Sequence, residues 1–181
     1  MKNNIFKIIK ILFFYFLFFN AYSAEQFNFN VTELEITDNG NKFTGTKKGV
    51  VTSDNGVVIE ANQFEYDKNL NILNASGNVK VNDTINNYVI YTEKMIYYKE
   101  KELIFTKNKS KGISLKDNIV ITANDFEYDK SLNIISAKQK VVITDNINDI
   151  KIYSEFISYL KDKQKIYTKG VTSAVIHSKY N

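Results

Sequence analysis

The sequence predicts an all-β fold of antiparallel hairpins, and three observations carry that expectation. The chain repeats itself: residues 57–87 return as residues 119–149, an offset of 62, with 17 of 31 positions identical. Within each copy apolar and polar residues alternate with a period of two, as in Val57, Ile59 and Ala61, then Phe64 and Tyr66, then Leu73, Ala75, Val79 and Val81. Between these runs stand turn sequences such as Asp38-Asn-Gly, Asp54-Asn-Gly, Asp67-Lys-Asn and Asp129-Lys-Ser. No stretch after residue 24 has helical periodicity.

Taken in chain order, residues 1–24 come first. Lys2, Lys7 and Lys10 precede an apolar run from Ile11 to Phe19, and Ala21 and Ser23 are small. That arrangement predicts a secretory signal peptide cleaved near Ser23 or Ala24, since spanning a bilayer takes about 20 apolar residues. Residues 25–181 then form one domain without a linker. Halving the offset to 31 exposes two fainter copies, starting at Tyr88 and Ile150. The columns run Ile59/Ile90/Ile121/Ile152, Phe64/Met95/Phe126/Ile157, Tyr66/Tyr97/Tyr128/Tyr159 and Leu73/Ile104/Ile135/Ile166. A degenerate earlier copy sets Leu34, Ile36, Phe43 and Gly45 under Phe64, Tyr66, Leu73 and Ala75. Alternation changes phase between Ala61 and Phe64, which predicts a bulge or corner. Each unit is then one antiparallel hairpin, and stacked units make two facing sheets with the apolar positions between them.

Composition excludes much chemistry. The chain has no Cys, Pro or Trp, and all 24 basic residues are Lys. Without Cys there is no disulfide framework, thiolate nucleophile or Cys-ligated zinc site. Without Arg there is no bidentate fork for phosphate or guanine. Residues 1–24 hold three Lys and no acid, so the formal +4 falls to near neutrality beyond them, and the charge is poor support for a polyanion partner. The single histidine, His177, reads as a solvated tail residue. Asp67 and Asp129 recur only in alternate units and inside turns, where Asp is at home, and Glu65 and Glu127 fall on the opposite face from Phe64 and Tyr66. Neither pair makes a glycosidase. Asp145-Asn-Ile-Asn-Asp lacks the third ligand and central Gly of a calcium loop. Tyr97-Tyr-Lys-Glu-Lys reads as a solvated strand end. No enzymatic activity, metal or cofactor is expected.

The pattern carried by Val57, Ile59, Ala61, Phe64, Tyr66, Asp67, Leu73, Ala75, Gly77 and Val79 resembles the OstA-like domain of the LptA/LptD lipopolysaccharide transport family. The second copy matches at Ile121, Ala123, Phe126, Tyr128, Asp129, Ile135, Ala137 and Val141, with Gln139 at the Gly position. The Phe-Glu-Tyr-Asp-Lys wording and the tail from Thr168 are nearer to the N-terminal domain of the family's outer-membrane assembly members (LptD) than to its free-standing bridge members. The resemblance implies an antiparallel β-jellyroll with an apolar groove in the periplasm. It implies that lipopolysaccharide is held there by its acyl chains, with other jellyroll proteins joined through edge strands. For the assembly members it also implies an outer-membrane β-barrel. The residues it assigns to the lipid are the inward apolar ones, Ile59, Phe64, Tyr66, Leu73, Val79, Ile90, Ile121, Phe126, Tyr128 and Ile135. Two other readings stand beside it: an exported structural or adhesive β-repeat protein with a closed core, and a polysaccharide-active β-solenoid.

Overall fold

The computed structural model describes residues 27–177, so the expected signal peptide lies outside the described residues. Fourteen strands follow one another: β1 (Phe27–Thr37), β2 (Lys42–Ser53), β3 (Val57–Ala61), β4 (Gln63–Asp67), β5 (Ile72–Asp83), β6 (Tyr88–Tyr98) and β7 (Leu103–Lys107). After these come β8 (Ser110–Ser114), β9 (Ile119–Ala123), β10 (Asp125–Asp129), β11 (Ile134–Asp145), β12 (Ile150–Leu160), β13 (Lys165–Lys169) and β14 (Ser173–Ile176). All pairings are antiparallel and all strands belong to one sheet.

The fold is a β-jellyroll, a single meander doubled over on itself. β3 and β4 are two halves of one crossing, parted at Asn62, and both lie between β2 and β5. β7 with β8, β9 with β10, and β13 with β14 make further split crossings. Each crossing passes through both layers, with a bend between them, and successive crossings run in opposite directions. The first layer holds β3, β8, β9 and β14 with the adjoining halves of the long strands; the second holds β4, β7, β10 and β13 with the remaining halves. The two facing sheets expected from the sequence are thus the two layers of one continuous, folded sheet.

Two kinds of bend alternate. Crossings that start in the first layer insert one residue, so their buried positions change phase: Ile59 and Ala61 give way to Phe64 and Tyr66, and Ile121 and Ala123 to Phe126 and Tyr128. This is the corner predicted after Ala61. Crossings that run the other way keep their phase and turn through two residues of left-handed backbone: Lys47 and Lys48, Gly77 and Asn78, Asn108 and Lys109, Gln139 and Lys140. The ladder shifts register at these bends, between Ser76 and Val79 and between Lys138 and Val141. Left-handed backbone costs a non-glycine residue about 1–2 kcal/mol, which the pairing on both sides must offset.

Turn sequences behave as their residues require. The Asp67 carboxylate accepts from the Leu70 N–H at 3.0 Å, and Asp129 accepts from Leu132 N–H at 2.9 Å, the local bonding that makes Asp a turn residue. Asp145 likewise caps its own turn, accepting from the N–H groups of Ile147 and Asn148. Among the described residues no cluster of potential ligands could hold a metal ion. His177 is 65% exposed, with Nδ1 3.3 Å from Asp149 Oδ1.

Gly112 shows how closely the layers meet. It stands between Ile90 and Ile121 on the inner face of the first layer, and a Cβ there would lie 2.9 Å from Cε2 of Phe126 in the second layer. Overpacking of this kind costs about 1–3 kcal/mol. Gly112→Val is therefore expected to lower the urea midpoint, and adding Phe126→Leu to recover part of the loss. Strictly additive losses would show that the two positions do not touch.

Candidate functional site

The ten apolar residues singled out from the sequence all point inward. Ile59, Val79, Ile90 and Ile121 come from the first layer; Phe64, Tyr66, Leu73, Phe126, Tyr128 and Ile135 come from the second. Register aligns them in columns. One column passes through Phe64, Ala75, Met95 and Thr106 to Phe126 and Ala137. Beside it runs another, Tyr66, Leu73, Tyr97, Ile104, Tyr128, Ile135, Tyr159 and Ile166. None of the ten exceeds 6% exposure. Over the middle of the molecule the layers are in contact and the interior is closed.

At the two ends the columns emerge. Leu34 and Ile36 continue the same columns, paired through Gly45 and Phe43 to Phe64 and Tyr66, yet they are 45% and 54% exposed. At the far edge Ile152 and Ile166 are half-buried and the inward Ile176 is exposed. The apolar track therefore extends beyond the stretch that the layers cover. At about 4.8 Å per strand, the sheet measures roughly 43 Å from β1 to β13 and β14.

Opposite the bends, the turns of the two layers face each other across a mouth. A polar ladder ties it shut, with rungs from Tyr97, Tyr128 and Tyr159, while Tyr66 donates to Asn71 of its own turn. Tyr97 Oη accepts from Asn55 Nδ2 at 2.7 Å, Tyr128 Oη accepts from Asn86 Nδ2 at 3.0 Å, and Tyr159 Oη donates to Asp117 Oδ2 at 2.9 Å. Tyr128 also donates to Asp83 Oδ2 at 2.6 Å. Asp83 is 1% exposed and takes further bonds from Ile85 N–H, Asn86 N–H and Asn86 Nδ2, with Lys130 Nζ 3.8 Å away. Lys99 pairs with Asp54, and Lys161 donates to the Asn86 carbonyl. A buried carboxylate bonded in this way is stable; stripped of a partner it is costly.

The ladder corrects one sequence reading. Tyr97-Tyr-Lys-Glu-Lys is no solvated strand end: Tyr97 is fully buried, and the Lys99 side chain is 12% exposed against Asp54. Of the ladder partners, Asn55 stands out in the sequence only as part of a turn, and Asn86 and Asp117 do not stand out at all. Their signal was present as a further column of the same period, one turn removed from the apolar alternation.

Titration follows the same geometry. Burial raises all three ladder tyrosines, Tyr97 to about 12 and Tyr128 and Tyr159 further, the last two also because each hydroxyl is bonded to a carboxylate. Asp54 is lowered, chiefly by its hydrogen bond to Lys99.

No protein-family model matches the chain, and no curated protein matches it. One solved structure similar to it is LptH, the LptA homologous periplasmic component of the conserved lipopolysaccharide transport device from Pseudomonas aeruginosa. The similarity covers 85% of this chain and 97% of that one, at 13% identity and a TM-score of 0.38. At that distance it adds nothing to what the strand pairings already describe.

The ladder makes its own prediction. A phenol raised in the fold contributes stability that is complete below its ordinary value of 10 and is lost as pH rises through the raised value. Phenolate absorbance from the ladder should therefore appear only as the layers part, toward pH 12. Tyr128→Phe should cost about 1.5–3 kcal/mol, the worth of a hydrogen bond to a charged group. A single titration near the ordinary value, or a neutral Tyr128→Phe, would contradict the ladder.

Proposed function

We propose that the chain is a non-catalytic lipid carrier of the periplasm that holds the acyl chains of lipopolysaccharide between its layers and passes the lipid toward the outer membrane. The observation that carries this reading is the apolar track that runs inside the closed middle and comes out at both edges, at Leu34 and Ile36 and at Ile176. A closed core has no use for inward apolar residues beyond its last covering strand; a path that continues into a neighbouring molecule does. Each methylene removed from water contributes about 0.8 kcal/mol, so ten of them supply roughly 8 kcal/mol before ordering costs. Such binding is non-directional and requires no catalytic group. It accords with the motif resemblance to the OstA-like domains.

On this reading Ile59, Phe64, Tyr66, Leu73, Val79, Ile90, Ile121, Phe126, Tyr128 and Ile135 contact the acyl chains once the mouth opens. Among the described residues β1 on one side, and β13 with β14 on the other, are the outermost strands. Their unpaired backbone groups can receive an edge strand of another jellyroll protein, or of the domain that leads into an outer-membrane β-barrel. The alternative, an exported structural protein with a permanently shut core, is favoured by one fact: all ten residues are buried.

Photo-crosslinking in cells separates the two. A photoreactive residue at Ile36, Ile59 or Phe126 should capture lipopolysaccharide, while one at the turn residue Lys68 should not. Ile36 is already exposed, so its replacement leaves the folded core intact. Failure to capture at Ile36 and at both inner positions, in protein that is folded and exported, would establish the structural reading instead.

A further inference from the structure

The bends form a spine along the outside of the fold, and the spine is not uniform. Three depressions lie on it. The first is lined by Thr32, Lys47, Lys48 and Glu60 among others and has a volume of about 370 Å³. The middle one, of about 590 Å³, is lined by the amides of Asn78, Asn108 and Asn124, by Tyr91, and by Lys109 and Lys111. The third, of about 330 Å³, includes Lys140, Tyr153, Ser154 and Glu155. Tyr91, Thr92 and Glu93 of the middle depression recur as Tyr153, Ser154 and Glu155 at the offset of the long repeat, so these two depressions are copies of one feature; the first has Asn30, Val31 and Thr32 on its β1 side and no aromatic ring. Four inter-strand spacings separate each from the next, a distance of about 19 Å.

Their chemistry sets them apart from the mouth. Tyr91 is 43% exposed and stands in register between Lys80 and Lys111; Tyr153 is 40% exposed, with Lys151 Nζ 5.4 Å from its ring centre. Lys94, Lys107, Lys109, Lys111, Lys138 and Lys140 crowd the bends, and among the described residues none has an acid within ion-pair distance. The unpaired acids nearby are Glu93, Asp125 and Glu155. At the mouth the first-layer turns carry the opposite sign, with Asp54, Asp83, Asp117, Asp145 and Asp149 against Lys116. The molecule is basic along its back and acidic at that lip, and such separation gives an anionic ligand a preferred face.

We propose that the spine binds a linear anionic polysaccharide that spans two or more of these depressions. An aromatic face, amide and hydroxyl groups and a lysine rim suit a sugar that carries carboxylates or phosphates. A periodic row suits a polymer, because each further depression engaged adds binding at high effective concentration. A lipid surface would need a row of protruding aliphatic side chains; the row lies on the other side of the molecule, at the turn tips Leu70, Ile85, Leu115, Leu132 and Ile147, while Val171 protrudes at the third depression without such neighbours around it. Nucleic acid fits less well, since no arginine is present to fork onto phosphate. This inference concerns the outside of the fold and stands or falls apart from the lipid reading.

The test is a titration of the purified protein with polygalacturonate of graded length, with neutral dextran, single-stranded poly-dT and phosphatidylglycerol vesicles as comparisons. Polygalacturonate should bind, with affinity rising sharply once its length exceeds the spacing between depressions and falling with salt. Lys109→Glu combined with Lys111→Glu should weaken it at least tenfold, and Tyr91→Ala should weaken it at unchanged salt dependence. Lys68→Glu with Lys163→Glu, placed at the mouth, should leave it unchanged. Circular dichroism verifies that each variant is folded. Absence of binding, equal binding of dextran, equal loss from the mouth variant, or tighter binding of poly-dT or vesicles would each overturn the proposal.

Discussion

A β-strand shows its side chains alternately to two faces, so a sheet that doubles over to bury one face must bend every strand on the same line. That constraint organises this molecule. Alternate crossings meet it by inserting a residue, as at Asn62 and Asn124, and the intervening ones by a pair of left-handed residues, as at Asn108 and Lys109. Since neighbouring crossings are antiparallel, the two kinds of bend must alternate, and the unit of repetition becomes one hairpin. The columns of the interior and the ladder at the mouth inherit that spacing, and the depressions along the spine recur at twice it.

The interior and the mouth hold the layers together by different physics. Columns through Phe64 and Tyr66 supply non-directional burial, which tolerates sliding and substitution. The ladder supplies direction: Tyr97, Tyr128 and Tyr159 reach the facing turns at fixed intervals, and Asp83 is bonded on several sides. Cross-layer hydrogen bonds can be exchanged for water at modest net cost, whereas the strand pairing at the bends cannot. The mouth is therefore the side on which the layers would part and the spine the side on which they would hinge. On the function proposed above, an acyl chain would replace the apolar contacts that parting breaks.

Much of this was legible in the residues. The all-β class, the hairpin repeat, the corner after Ala61 and the inward direction of all ten apolar positions follow from alternation and self-similarity. Even the degenerate first copy was aligned correctly, with Leu34 and Ile36 in the columns of Phe64 and Tyr66. What escaped lies where alternation is silent. Bends such as Gln139 and Lys140 leave the phase unchanged, so no periodic signal marks them. Tyr97 and Lys99 looked like a wet strand end because their partners, Asn55 and Asp54, belong to a turn far earlier in the chain. Whether facing columns touch or gape depends on a separation between layers that no single strand encodes.

The account turns on whether the mouth opens around lipid. The chain has no cysteine, so spin labels can be placed uniquely at the exposed tips Ile85 and Leu132, on turns that face each other across the ladder. Pulsed electron–electron resonance should give one short distance for the protein alone and a longer one when lipopolysaccharide is bound. An unchanged distance in protein that demonstrably carries the lipid would place the acyl chains elsewhere and contradict the account.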